Sequence, residues 1–183
     1  MKMRALLMAM VMAVATPAFA ESELNKTDAE KTEAAKPIPD PVMFESKHTG
    51  TFGTAKVAYT VEAGETYIKG EDGEPAASLF TTSYVVDKAG SARPVTFIFN
   101  GGPGSASVWL HMGLLGPKRA QVASGADADD GAAPYRLVDN PLSILDVTDL
   151  VFIDPVGTGY SRAIGEGENK DYWSAAGDTA SIS

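Results

Sequence analysis

Val95-Thr96-Phe97-Ile98-Phe99 is almost wholly apolar and breaks directly into Asn100-Gly101-Gly102-Pro103-Gly104-Ser105. A run without polar alternation predicts a strand covered on both faces, as in a parallel sheet. A second run of the same character is Asp149-Leu150-Val151-Phe152-Ile153-Asp154. Parallel neighbours need a long crossover. Between the two runs, Ser107–Leu115 can form two helical turns, with Ser105 or Ser107 as N-cap and Gly116-Pro117 as the stop. Asn140-Pro141 starts a turn into a short helix at Leu142–Leu145. These elements predict an α/β fold with a mostly parallel sheet and helices on both faces.

The preceding segment differs. Lys56–Gly70 reads as two short strands hinged at Ala63-Gly64, a hairpin, and Ser78–Val86 as a third strand rich in β-branched and aromatic residues. Their half-polar pattern suits antiparallel strands with one wet face, forming an antiparallel N-terminal edge.

Residues 1–20 carry Lys2 and Arg4, an apolar stretch from Ala5 to about Ala15, and Ala18-Phe19-Ala20. That is the charged, apolar and small-residue order of a cleaved export signal, and the stretch is too short to span a bilayer. Residues 21–43 are polar, charged and proline-terminated, a flexible acidic leader, so the fold is expected to occupy residues 44–183. The protein is then exported, periplasmic or secreted, with no membrane contact after signal cleavage. It contains no cysteine, so its stability must come from a core rather than disulfides. The formal net charge is −9 with no basic block, which argues against nucleic acid as a partner.

A Gly-Gly-Pro-Gly turn at the carboxyl end of a buried strand presents backbone N–H groups where ligands of open α/β sheets bind. The client is a phosphate or a developing oxyanion. Lys118 lies outside a P-loop frame, and Gly102-Pro103-Gly104 is followed by Ser-Ala-Ser, so both phosphate-loop patterns fail. An oxyanion hole fits better, since α/β-hydrolases take one donor from a glycine-rich loop after an early strand. The bland reading, a turn that lets a helix pack on a strand, stands beside it. Asp127, Asp129 and Asp130 suggest calcium, but Gly131, Ala132 and Val138 break the EF-hand pattern, which leaves a solvated loop and no metal.

Two motifs in order carry a resemblance. Asn100–Arg119, NGGPGSASVWLHMGLLGPKR, and Asn140–Ser161, NPLSILDVTDLVFIDPVGTGYS, are similar to the two hallmarks of the serine carboxypeptidase family. The likeness is good over residues 80–183 and looser before them. It implies an α/β-hydrolase that removes C-terminal amino acids from peptides through an acyl-enzyme, without cofactor. By position, the Gly102 backbone N–H would be an oxyanion donor. Asn100 and the Gly101 amide would hold the substrate's terminal carboxylate, and Asp154 and Tyr160 would wall the crevice. The chain departs from better-known eukaryotic members, which carry Trp at Ile98, Glu at Leu114 and Cys at Ser105. It resembles a bacterial, disulfide-free branch.

The family's Gly-Glu-Ser-Tyr-Gly-Gly elbow, which carries the nucleophile, and its later Asp and His have no counterpart among the 183 residues. Lys170–Ser183 opens a helix that is not completed, so a truncated, inactive N-terminal fragment is expected. Ser161 stands in a near miss to Gly-x-Ser-x-Gly, but no helix follows to make an elbow, which predicts a structural turn. His48 is expected at the surface, and His111 in packing or a local hydrogen bond. Two alternatives remain: another serine hydrolase such as an esterase, and a non-catalytic periplasmic peptide-binding module.

Overall fold

A computed structural model describes residues 37–87, 90, 92–101, 104–122 and 135–182. The proposed signal, most of the leader, Gly102 and the Asp127–Asp130 loop lie outside the described residues. The first three strands are β1 (Met43–Phe52), β2 (Ala55–Lys69) and β3 (Pro75–Val86). They are joined by tight turns, and adjacent strands joined by such turns run antiparallel. β4 (Val95–Ile98) and β7 (Asp149–Ile153) follow, separated by the helical crossover and a two-stranded ribbon of β5 (Lys118–Gln121) and β6 (Arg136–Asp139). The order across the main sheet is β1-β2-β3-β7-β4, with the short β8 (Arg162–Ala163) paired to β3.

Among the described residues this is a mixed, mostly antiparallel sheet, where a mostly parallel one was expected. Only β4 and β7 pair in parallel, with Ile98 opposite Phe152. The reason is connectivity: three long strands come from consecutive hairpins, and a single crossover supplies the parallel pair. The parallel pair itself and its helical crossover agree with the expectation.

The hairpin expected at Ala63-Gly64 does not form, because β2 runs straight through both residues. Gly64 serves a different need. A Cβ there would collide with the backbone of Val42 and Met43, so the missing side chain lets β1 begin against β2. The chain instead turns at Gly53-Thr54, where Gly53 has φ 55°, and at Gly70–Glu74. The last leader residues are already tied to β2, since the Tyr67 hydroxyl donates to Pro39 O at 2.7 Å.

Side chains alternate across β7 and build two cores. Leu150 and Phe152 join Phe52, Tyr59, Tyr84 and Ile98 on one face, with Leu110, Leu115 and Ile144 of the helical segments packed over them. Val151 and Ile153 join Leu79 and Val156 on the other, under Tyr172 and Ile182. The second cover comes from a 3-10 turn at Asn169–Tyr172 and a helix, Ala175–Ile182. β7 is thus buried on both faces, as its apolar run predicts. β4 is not. Ile98 is buried, but Phe97 is 63% exposed and Val95 48% exposed. β4 is the last strand on its side, and the cover that reaches Val151 does not extend over Phe97.

Candidate functional site

The glycine-rich loop leaves the carboxyl end of β4, next to the carboxyl end of β7, where Asp154–Ser161 begins. Sequence positions more than 50 residues apart therefore meet at one sheet edge, because β4 and β7 are adjacent and parallel. Both motifs sit where open α/β sheets place ligands.

The loop returns at Ser107, which begins the crossover helix. One α-helical turn (Val108–Leu110) widens into a π-helical turn (His111–Leu115), closed by the Gly116 N–H on His111 O at 2.9 Å. A Cβ on Gly116 would collide with that carbonyl, which explains the glycine. The carbonyls at the helix end need partners. Asn140 Nδ2 donates to Leu114 O and Gly116 O, both at 2.8 Å, and Ser143 Oγ to Leu115 O at 2.6 Å. Asn140 thus acts as a buried cap for this helix, beyond the turn-starting role its pairing with Pro141 suggests.

Asn100 is half-buried, and its Nδ2 donates across the loop to Ala106 O at 3.0 Å, with a longer contact of 3.4 Å to Ser105 Oγ. Gly101 beside it is exposed. Gly102, expected as the oxyanion donor, lies outside the described residues. Asp154 accepts from Ser107 N–H at 2.9 Å through Oδ1, and from Tyr160 N–H at 3.4 Å through Oδ2. Tyr160 is 72% exposed, its ring tilted against Phe80 with centroids 5.1 Å apart. The structure therefore brings Asn100, Gly101, Asp154 and Tyr160 to the same edge of the sheet.

Ser161 is buried, as a structural turn predicts. Its Oγ donates to Asp154 O at 2.6 Å and accepts from Phe80 N–H at 2.7 Å, so both functions of the hydroxyl are engaged. His48 lies exposed on β1, at the opposite edge of the sheet, stacked on Tyr59 and 2.9 Å from Ser46 Oγ. His111 is half-buried and packs against the first core. Its Nε2 lies 2.5 Å from the Tyr84 hydroxyl, and its ring stacks on Phe152 with centroids 4.3 Å apart. Burial lowers the His111 pKa to about 4 and raises that of the Tyr84 phenol, so the imidazole is neutral at ordinary pH. Neither histidine faces Ser161 as a general base would.

Away from the loop, an open groove of about 560 Å³ lies beside the β2–β3 turn, lined in part by Glu71, Asp72, Glu74 and Glu166. Among the described residues no cluster of three His, Asp or Glu side chains is arranged to hold a metal ion.

A glycine-rich loop thus follows one strand, and a turn anchored on the Asp154 carboxylate follows its parallel neighbour. The profile of the serine carboxypeptidase family matches residues 56–181, more than half of the chain, and the protein belongs to that family. It is also similar to the pheromone-processing carboxypeptidase KEX1 of Cryptococcus gattii serotype B, at 35% identity over 105 residues. That match covers 57% of this chain and 15% of the relative, so the chain spans only a small part of the relative's length.

Proposed function

We propose that the protein is a serine-type carboxypeptidase of α/β-hydrolase architecture that removes C-terminal amino acids from peptides. In this reading the described segment supplies the oxyanion side of the site and the part that binds the substrate's carboxylate. The Gly102 N–H stabilises the oxyanion, a contribution of about 2.7–4 kcal/mol for one such donor. Asn100 and the Gly101 N–H hold the terminal carboxylate through neutral donors, so no fixed positive charge is required. Asn100 can turn toward a carboxylate by giving up its long contact to Ser105 while keeping the bond to Ala106 O. Asp154 and Tyr160 wall the crevice. The nucleophile and base are residues other than Ser161 and His111, whose Oγ and Nε2 are committed to internal bonds. The chain acts outside the cytoplasm, with residues 1–20 as its export signal, in a bacterial-type branch of the family.

The observation that carries this reading is the meeting of the Asn100–Gly104 loop and the Asp154–Ser161 turn at one edge of a parallel strand pair. The test is to purify the protein from its native source and offer N-blocked dipeptides with a free C-terminal carboxylate, the matching C-terminal amides and simple esters. Release of free amino acid from the acids and not from the amides is expected. Turnover of esters alone would point to an esterase, and binding of the acids without cleavage to a peptide-binding module. The 183-residue chain by itself should not be labelled at Ser161 by a fluorophosphonate.

A further inference from the structure

The loop from residue 99 to 106 departs from and returns to the same short stretch of β7. It leaves at Ile98, which is paired with Phe152. It comes back at Ser107, whose hydroxyl donates to Ile153 O and whose N–H donates to the Asp154 carboxylate at 2.9 Å. Both feet of the loop therefore stand on three consecutive residues of β7 and its continuation.

Asp154 is itself held from behind. Its N–H donates to Phe80 O at 3.1 Å, and its carbonyl accepts from Ser161 Oγ at 2.6 Å. Its second carboxylate oxygen faces Tyr160 N–H at 3.4 Å, and a Cβ on Gly159, which has φ 52°, would collide with that oxygen. The Pro155–Ser161 turn is thus wrapped around the carboxylate, and glycine at 159 is required both by the backbone angle and by the space. Hydrogen bonds to an ionised acceptor are the stronger kind.

We infer that Asp154 is a positioning residue: its carboxylate ties the returning foot of the glycine loop to the end of β7 and so fixes where the loop re-enters the fold at Ser107. The functional part of this inference rests on the proposed carboxylate-binding role of the loop. Asp154 acts through the Ser107 backbone, and Asn100 braces the loop from within. This assigns a physical task to the acidic residue that opens the Asp-Pro-Val-Gly motif, beyond walling the crevice.

Amide hydrogen exchange on the isotopically labelled 183-residue chain, with Asp154→Ala and Asp154→Asn, tests it. Asparagine retains a carbonyl acceptor for Ser107 N–H and alanine does not. In the alanine variant Ser107 exchange should rise about tenfold or more, while in the asparagine variant it stays within about threefold of the parent. Exchange at Phe152 and Thr82 should be unchanged in both, which separates a local effect from unfolding. Affinity for an N-acetyl dipeptide carboxylate should fall about tenfold in the alanine variant and recover in the asparagine variant. Unchanged Ser107 exchange in a folded alanine variant would overturn the inference. So would equal loss of affinity in both variants with Ser107 still protected, since that marks a direct contact between charge and substrate. A parent chain that binds no carboxylate would count against the proposed function, while the exchange data still decide the positioning role. If the alanine variant does not fold, the parent chain decides: a scalar coupling across the hydrogen bond between the Ser107 amide nitrogen and the Asp154 carboxylate carbon is expected, and its absence would overturn the inference.

Discussion

His111 would draw attention in any search for a base, because it follows the glycine loop closely and is one of two histidines. The packing gives it another role. Stacked on Phe152 and bonded to Tyr84, it is a neutral residue packed against the core, and burial lowers its pKa to about 4. In the unfolded chain its pKa is near the ordinary value of about 6.5. Between those two values the unfolded state binds a proton that the folded state refuses, so stability is lost as pH falls through that window. The loss should reach about 3 kcal/mol by pH 4. His111→Phe keeps the ring but cannot take up the proton, so urea denaturation from pH 7 to pH 4 should show a flatter pH dependence in that variant. The packing role of His111 was legible from its place in a short apolar helix. Its partner was not, because Tyr84 is 27 residues away and only the sheet brings the two together. Ser161 follows the same pattern: the missing elbow marks it as structural, but its bonds to Phe80 and Asp154 are tertiary facts.

Among the elements, the two apolar runs illustrate what a pattern can and cannot say. Both predict strands, and both are strands. Both also predict cover on two faces, which β7 has and β4 lacks, since β4 stands at the edge of the sheet and β7 inside it. Neighbourhood in the sheet, not local composition, makes the difference. The two faces of β4 should therefore respond differently to truncation. Ile98→Ala, from the buried face, should cost about 2–5 kcal/mol. Phe97→Ala, from the exposed face, should stay within about 0.5 kcal/mol. Urea unfolding midpoints of the two variants check this. Gly64 makes the same point in reverse. A glycine between two β-rich runs reads as a turn, yet here it lies mid-strand, where another backbone passes too close for a side chain.

At the scale of the molecule, Arg93 joins pieces that are far apart in sequence. Its Nε donates to Asp149 Oδ1 at 2.7 Å, and its other nitrogens donate to Leu145 O and to Asp146 O. The same Asp149 oxygen accepts from Val86 N–H at 3.0 Å. One guanidinium thus ties the approach to β4, the end of β3, the start of β7 and the 3-10 turn at Ile144–Asp146 together. The Arg93 and Asp149 side chains are only 16% and 12% exposed. Arg93→Met should therefore cost about 3 kcal/mol by leaving a buried carboxylate without its cation. Adding Asp149→Asn should recover part of that loss, and thermal or urea denaturation of the single and double variants measures it.

Local pattern and motif order were enough for the strand at β7, the helical crossover and the family, because each rests on residues whose order is visible along the chain. They did not determine which strands lie at the edge, which glycines turn and which make room, or how the two motifs are fastened together. Those were decided by tertiary structure. Asp154 and Ser107 are 47 residues apart, and a hydrogen bond between them exists only once β4 and β7 lie side by side in register. Pairing of this kind depends on the sheet as a whole, and no local stretch of the chain encodes it.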